Sequence, residues 1–312
     1  MAGHLQVILQ SGRLPFLLLT LVAITLAASS VSYNFSLSGQ PEDKVDFTML
    51  PFIYAGAIFA HLSVNLFNEY WDFKSGLDLT TKRTPFSGGS GALPAQPTAL
   101  NSVLYAAILF FVLTALIGVV LIQHLFVLTG EFNIDLLLLG LAGLVLVLIY
   151  TGPIQRYPML CWAAPGLGFG IMMFLGTEIV LTSALSLSGI PAALIVFILS
   201  SNLLLLNQLP DIQADAQIGR RHLWISKGEV FSLRVYFLGT SLIPVLLMSG
   251  IYFADWPAST LWALLPWSLT LFSLRGAWQH RQAIVDHHAY LGMNVAASLL
   301  VPVFLSIALL LA

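Results

Sequence analysis

Charged side chains are what this sequence most lacks: Asp, Glu, Lys and Arg make up 8% of its 312 residues, against about 25% in a soluble domain. A water-facing surface cannot be built from so few. Cysteine is nearly absent as well. Cys161 stands alone, so no internal disulfide can form, and a single thiol in an apolar run reads as packing. Without further Cys or clustered His, a zinc centre of the usual kind is excluded. The short alternating segments of a membrane β-barrel are missing too. The one Gly-rich stretch, Gly88-Gly89-Ser90-Gly91, lacks the following Lys and helix-opening pattern of a nucleotide phosphate loop.

What fills the chain is apolar: hydrophobic residues reach 58%, in runs of about 20 residues, the length of a bilayer-spanning helix. Only helices satisfy their own backbone polar groups in such runs. The composition therefore predicts an all-α integral membrane protein, a bundle of nine transmembrane helices over residues 14–31, 47–69, 98–123, 134–152, 160–182, 188–209, 230–252, 258–277 and 289–311. Arg13 followed by an apolar run ending in Ala27-Ala28-Ser29 resembles a signal peptide. The run is longer than most such segments and many more spans follow, so it reads as a retained first helix.

Lys and Arg set orientation, because cytoplasmic loops hold the excess of them. Eleven of the twelve basic residues, all but Lys44, fall on one side of a nine-span chain. The N-terminus is thus expected in the cytoplasm and the C-terminus outside, in a cell or inner membrane. No nucleic-acid partner is expected.

Two polar stretches interrupt the apolar pattern at the ends of even-numbered spans. In Asn65-Leu66-Phe67-Asn68-Glu69-Tyr70-Trp71-Asp72, a helix continuing through the motif puts His61, Asn65, Asn68 and Asp72 on one face. In Asn207-Gln208-Leu209-Pro210-Asp211-Ile212-Gln213-Ala214-Asp215, Asn207, Asp211 and Asp215 repeat at steps of four, although Pro210 kinks or ends the helix. Each motif precedes a basic loop, one carrying Lys82 and Arg83, the other Arg220, Arg221 and Lys227. The chain thus reads as one membrane-embedded domain, 1–312, with pseudo-repeat halves at 14–152 and 160–311 that set two half-sites opposite each other.

Acids and amides this near a membrane core are costly, so a site is the default reading. Oxygen ligands suit a hard cation, Mg²⁺ or Mn²⁺, which leaves coordination places for substrate phosphates. Carboxylates flanked by Arg and Lys read as a diphosphate clamp. A diphosphate whose other end dissolves in lipid is the natural ligand of a site that opens into the bilayer.

On Asn68-Glu69-x-x-Asp72 after the second span and Asp211-x-x-x-Asp215 after the sixth, the chain resembles the UbiA superfamily of membrane-embedded prenyltransferases. Glu69 replaces the commoner Asp, and Gly76 stands where many members have a further acid, with Asp78 two residues on. That variant, with Gly219-Arg220-Arg221, is most similar to the branch acting on 1,4-dihydroxy-2-naphthoate in menaquinone synthesis.

The resemblance implies transfer of a polyprenyl chain from its diphosphate to an aromatic acceptor. Asn68, Asp72, Asp78, Asp211 and Asp215 would form the metal set, with Asp72, Asp211 and Tyr150 catalytic. Asn65, His61, Lys82, Arg83, Arg220, Arg221 and Lys227 would bind substrate. 4-Hydroxybenzoate, homogentisate or a tetrapyrrole are alternative acceptors. A cation-coupled transporter is the alternative outside enzymology, since intramembrane carboxylates and repeats suit it too.

Overall fold

A computed structural model describes residues 2–38, 45–81, 83 and 88–312; Lys44 and Lys82 lie outside them. The described residues form helices and no strand. Ten are long: α1 (Ala2–Ser11), α2 (Leu18–Ser38), α3 (Leu50–Lys74), α4 (Leu100–Thr129), α5 (Ile134–Tyr150), α6 (Pro158–Thr182), α7 (Ile190–Asn207), α8 (Gly228–Phe253), α9 (Leu264–His280) and α10 (His288–Leu310).

Each of the nine apolar segments folds into one of α2 to α10. Seven of these elements are long and apolar enough to cross a membrane. The others, α5 and α9, have 17 residues each. At 1.5 Å per residue that is about 25 Å, short of the roughly 30 Å hydrocarbon core. Length and composition thus give seven candidate crossings among the described residues.

The apolar pattern assigns nothing ahead of Leu14, and α1 is the element it misses. Ten residues are too few to span, so hydropathy is silent about it. Tertiary contacts hold it: Val7 is buried with Leu66, Tyr70 and Leu93, and the Ser102 hydroxyl pairs with His4 Nδ1 at 3.0 Å. The chain then breaks sharply at Arg13, whose φ of 49° is left-handed.

Helix α7 is the hub. Within its most apolar window 72% of residues are buried, against 11% for α4, so α4 faces lipid while α7 packs on α6, α8 and α10. Close approach of α6 to α7 depends on Gly166 and Gly170, one helical turn apart. A Cβ on Gly170 would lie 2.5 Å from the Ala193 carbonyl oxygen and from the Phe197 amide nitrogen. Small residues at this spacing let membrane helices meet backbone to backbone.

Polar side chains then tie the hub to its neighbours. Asn202 Nδ2 donates to the Tyr236 carbonyl at 3.1 Å, and Asn202 Oδ1 accepts from Trp162 Nε1 at 3.3 Å. Asn294 Nδ2 donates to the Asn202 carbonyl at 3.3 Å while its Oδ1 accepts from the Tyr236 hydroxyl at 2.8 Å. Four helices share this network, which leaves Asn202 and Asn294 no unpaired amide in an apolar interior.

Gly170→Leu should lower stability by about 1–3 kcal/mol, the range for overpacking. Thermal unfolding in detergent checks this, with Gly118→Leu, where a Cβ meets nothing within 4 Å, expected to stay near the parent midpoint.

Candidate active site

Where α3, α5 and α7 end and α6 begins, a polar cavity of about 190 Å³ opens. Helix α3 runs unbroken to Lys74, so His61, Asn65, Asn68 and Asp72 do share a face, and all four line the cavity. The second motif arrives differently. Helix α7 stops at Asn207, and after a turn through Pro210, Asp211 caps a separate short helix, Ile212–Gln217. The helix thus ends just ahead of the proline, which cannot donate a helical hydrogen bond, as Pro210 in the sequence predicts. The i,i+4 relation survives locally, because the Asp215 amide donates to the Asp211 carbonyl at 2.9 Å.

The two motifs meet across Arg220. Its guanidinium bonds Asp72 and, at 2.8 Å, Asp215 Oδ1. His222 Nε2 pairs with Asp215 Oδ2 at 3.1 Å. Burial alone would raise the Asp215 pKa, but His222 and Arg220 outweigh it and hold the carboxyl below its ordinary value. Burial likewise works against the Arg220 cation, and its two carboxylate partners more than restore it.

Asp78 and Asp211, which line the same cavity, are bonded to no cation among the described residues. Burial, with repulsion from Glu69 and Asp72, pushes Asp78 up to about 7. Burial and the neighbouring Asp215 raise Asp211 to about 7, although the Gly88 amide donates to it at 3.1 Å. Asp78 Oδ2, Asp211 Oδ1 and Asn207 Oδ1 are buried with no hydrogen-bond partner. Unpaired oxygens at a cavity wall are what a hard cation would satisfy, so the donor set fits one. Among the described residues no three acidic, His or Cys side chains stand close enough together to hold an ion as they are.

Asn68 extends the polar wall: its Nδ2 donates to Asp72 Oδ2 at 3.0 Å and its Oδ1 accepts from the Thr151 hydroxyl at 3.2 Å. Asn65 instead donates to the Gly12 carbonyl at 3.0 Å, fastening the segment after α1. His61 Nδ1 pairs with the Thr20 hydroxyl at 2.8 Å. Tyr150 and His61 also line a second, apolar cavity of about 520 Å³ among α3, α4, α5 and α6.

Three basic residues named from the sequence do not line the polar cavity: Arg83, Arg221 and Lys227. The Arg83 side chain is exposed and packs over Gly91. Arg221 reaches Gln155 only through its backbone amide, and Lys227 precedes α8 with an exposed side chain.

Sequence reasoning also missed contributors. Arg13, read as an orientation signal, lines the cavity, with Nη2 3.7 Å from Glu69 Oε2. Glu69 is fully buried yet outside the cavity wall; it accepts from the Ser90 hydroxyl and, at 3.2 Å, from the Ser90 amide. Glu69 thus anchors the Gly-rich loop. Gly89 completes the closure, since a Cβ there would press on the Asp78 carboxylate.

The two motifs thus converge at one mouth bordered by an apolar chamber. The model of the UbiA prenyltransferase family matches residues 16–298. The chain belongs to the UbiA prenyltransferase family. The 1,4-dihydroxy-2-naphthoate octaprenyltransferase of Bacillus subtilis (strain 168) is 27% identical over 189 residues, 60% of this chain and 57% of the relative. The chain thus spans about 57% of the length of the curated relative it matches.

Among solved structures, a UbiA homolog from Archaeoglobus fulgidus bound to DMAPP and Mg²⁺ superposes with a TM-score of 0.64 at 14% identity. That match covers 98% of this chain and 99% of that one. A structure described for digeranylgeranylglyceryl phosphate synthase matches at TM-score 0.67 and 14% identity over 100% of both chains. At such identity these neighbours share the fold.

Glu69→Ala should free the loop at Ser90 while leaving the helices intact. Hydrogen–deuterium exchange checks it: amide exchange at Gly88–Gly91 is expected to rise at least about tenfold, the factor for losing one hydrogen bond of about 1.4 kcal/mol, with α7 unchanged.

Proposed function

We propose that this member of the family transfers a polyprenyl chain from its diphosphate to an aromatic acceptor, 1,4-dihydroxy-2-naphthoate, from a cytoplasm-facing site. The supporting observation is the junction of the two cavities. The polar one holds Arg13, Arg220 and the acids of both motifs, and it meets an apolar one at Tyr150, His61, Asn65, Pro165 and Phe169. An isoprenoid diphosphate has that same division, an anionic head and a lipid-soluble tail. The naphthoate relative supports the acceptor, and the Mg²⁺-bound Archaeoglobus homolog supports the metal.

In this reading Asp72, Asp78, Asp211 and Asp215 with Asn68 hold divalent cations, Mg²⁺ first and Mn²⁺ as a substitute. Ions bound there neutralise charge developing on the leaving diphosphate. Arg220, released from Asp72 and Asp215, and Arg13 then face the diphosphate with their guanidinium donors. The allylic carbon–oxygen bond breaks, and the diphosphate keeps the electron pair. A ring carbon of the acceptor attacks the electron-deficient carbon, and the ring proton leaves. Tyr150, at the seam between head and tail, presents an aromatic face that stabilises positive charge without reacting. His61, one turn deeper than Asn65, orients the acceptor.

Lys74, Arg156 and Arg220, which end or follow α3, α5 and α7, support a cytoplasmic mouth by the positive-inside rule. Nine crossings follow if α5 and α9, with their flanking turns, span a locally thinned bilayer. The two motifs, one from each half, then act as a pair from 14–152 and 160–311.

The test incubates purified protein with Mg²⁺, a labelled polyprenyl diphosphate and a panel of acceptors that includes 4-hydroxybenzoate, homogentisate and a tetrapyrrole. Diphosphate release and prenylated product are both followed. Product with the naphthoate alone is expected. Product only with another acceptor overturns the acceptor, and no product alongside cation-dependent uptake into vesicles overturns the reaction. Asp72→Ala and Asp211→Ala are expected to lower turnover about a hundred- to a thousandfold, the cost of losing one fixed electrostatic contact. Membrane insertion should persist, and chelating the divalent cation should abolish turnover in the parent.

A further inference from the structure

Three of the motif carboxylates share a pattern in which one oxygen is tied to a donor beside it. Asp72 Oδ2 accepts from Asn68 Nδ2 at 3.0 Å, Asp211 Oδ2 accepts from the Gly88 amide at 3.1 Å, and Asp215 Oδ2 pairs with His222 Nε2 at 3.1 Å. The second oxygen, Oδ1, goes to Arg220 in Asp72 and Asp215 and to no partner in Asp211. Asn68 belongs to the first motif and Gly88 to the Gly-rich loop. His222 belongs to neither, yet it is buried and lines the polar cavity.

The chain around His222 is fixed on both sides. The Arg221 amide donates to the Gln155 carbonyl at 2.8 Å, and the His222 carbonyl accepts from the Ile225 and Ser226 amides at 3.1 and 3.0 Å. Leu223 and Trp224 are buried with Leu205 and Leu206, and Trp224 Nε1 donates to the Leu205 carbonyl at 2.6 Å. His222 Nδ1 is buried with no partner, so Asp215 is the ring's one hydrogen-bonding partner among the described residues. A carboxylate can only accept, so Nε2 carries the proton of this contact. Arg220 is different, because its guanidinium is divided between Asp72 and Asp215.

We propose that His222 is a positioning residue: by holding Asp215 Oδ2 it keeps Oδ1 turned toward Asp72, the side on which the two motifs would share a divalent cation. The proposal rests on the divalent-cation reading of the site and adds what sets the direction of one of its carboxylates. That Oδ1 faces the first motif is shown by Arg220, which bonds this oxygen and Asp72 with one guanidinium. The torsion that turns a carboxylate is broad and two-fold, so Asp215 without a fixed neighbour could rotate either oxygen, or both, toward the site. His222 removes that freedom and leaves one oxygen to offer. Neighbours of this kind matter because losing one lowers metal affinity about ten- to a hundredfold.

The test follows thermal stabilisation of the purified full chain against Mg²⁺ concentration, with Mg²⁺ alone and with inorganic diphosphate added, in the parent, His222→Ala, His222→Gln and His222→Asn. The Gln amide nitrogen lies as many bonds from Cβ as His Nε2 does, so Gln restores the donor, whereas the Asn amide falls short. His222→Ala and His222→Asn should raise the half-stabilising Mg²⁺ concentration at least about tenfold, and His222→Gln should stay within about threefold of the parent. In the prenyl-transfer assay, saturating Mg²⁺ should restore most of the kcat that His222→Ala loses at low Mg²⁺. Should the Ala variant fail to fold, the Gln and Asn variants decide the matter between them. An unchanged Mg²⁺ midpoint in Asn and Ala, or the same midpoint in Gln and Asn, would overturn the positioning role. So would a kcat loss that saturating Mg²⁺ does not repair. A parent that Mg²⁺ does not stabilise under either condition, and that turns over without it, would instead sink the divalent-cation reading, and the role of His222 with it.

Discussion

Carboxylates drawn out of water need a cation. In this protein that need is concentrated at one mouth, where α3 ends and the turn after α7 begins. An uncompensated buried charge costs several kcal/mol, and Arg220 meets the demand by bonding Asp72 from the first motif and Asp215 from the second. Segments more than a hundred residues apart are thereby held in one place. Asp78 and Asp211, which Arg220 does not reach, keep unpaired buried oxygens. The result is a half-neutralised cluster whose remaining appetite is for positive charge, suited to a hard cation and then to an anion bound through it.

The apolar chamber is the other half of the design. It adjoins the polar mouth along Tyr150, His61, Asn65, Pro165 and Phe169, and along α3 the step from the charged Asp72 to the shared Asn65 is seven residues, about two helical turns. Such an interface sorts the two ends of an amphiphile by solvation alone. The rigid side of the bundle, where α7 meets α6 through glycines and meets α8 and α10 through the Asn202 network, keeps the second motif in register with the first. The loosely packed side, around α4 and α5, supplies the room.

Two elements close the polar end. Helix α1 ends in the left-handed turn at Arg13 and brings its guanidinium to the cavity wall. The loop containing Gly88–Gly91 is pinned at both ends of the site, to Asp211 through the Gly88 amide and to Glu69 through Ser90. Neither element crosses the membrane. Each is ordered by polar contacts with motif residues, so the acids that form the site also organise its cover.

Hydropathy and motif spacing by themselves determined the helical membrane class, the nine apolar segments, the shared face of His61, Asn65, Asn68 and Asp72, and the break at Pro210. These are local properties, fixed by helical period and by proline's missing amide. Only the tertiary structure decided that Arg220 and Arg13 enter the site while Arg83, Arg221 and Lys227 stay outside, and that Glu69 anchors a loop. It also decided that α1 packs against the bundle. The physical reason is that a charged side chain beside a motif looks the same in sequence whether it points inward or to solvent. Its direction is set by what the distant chain places against it.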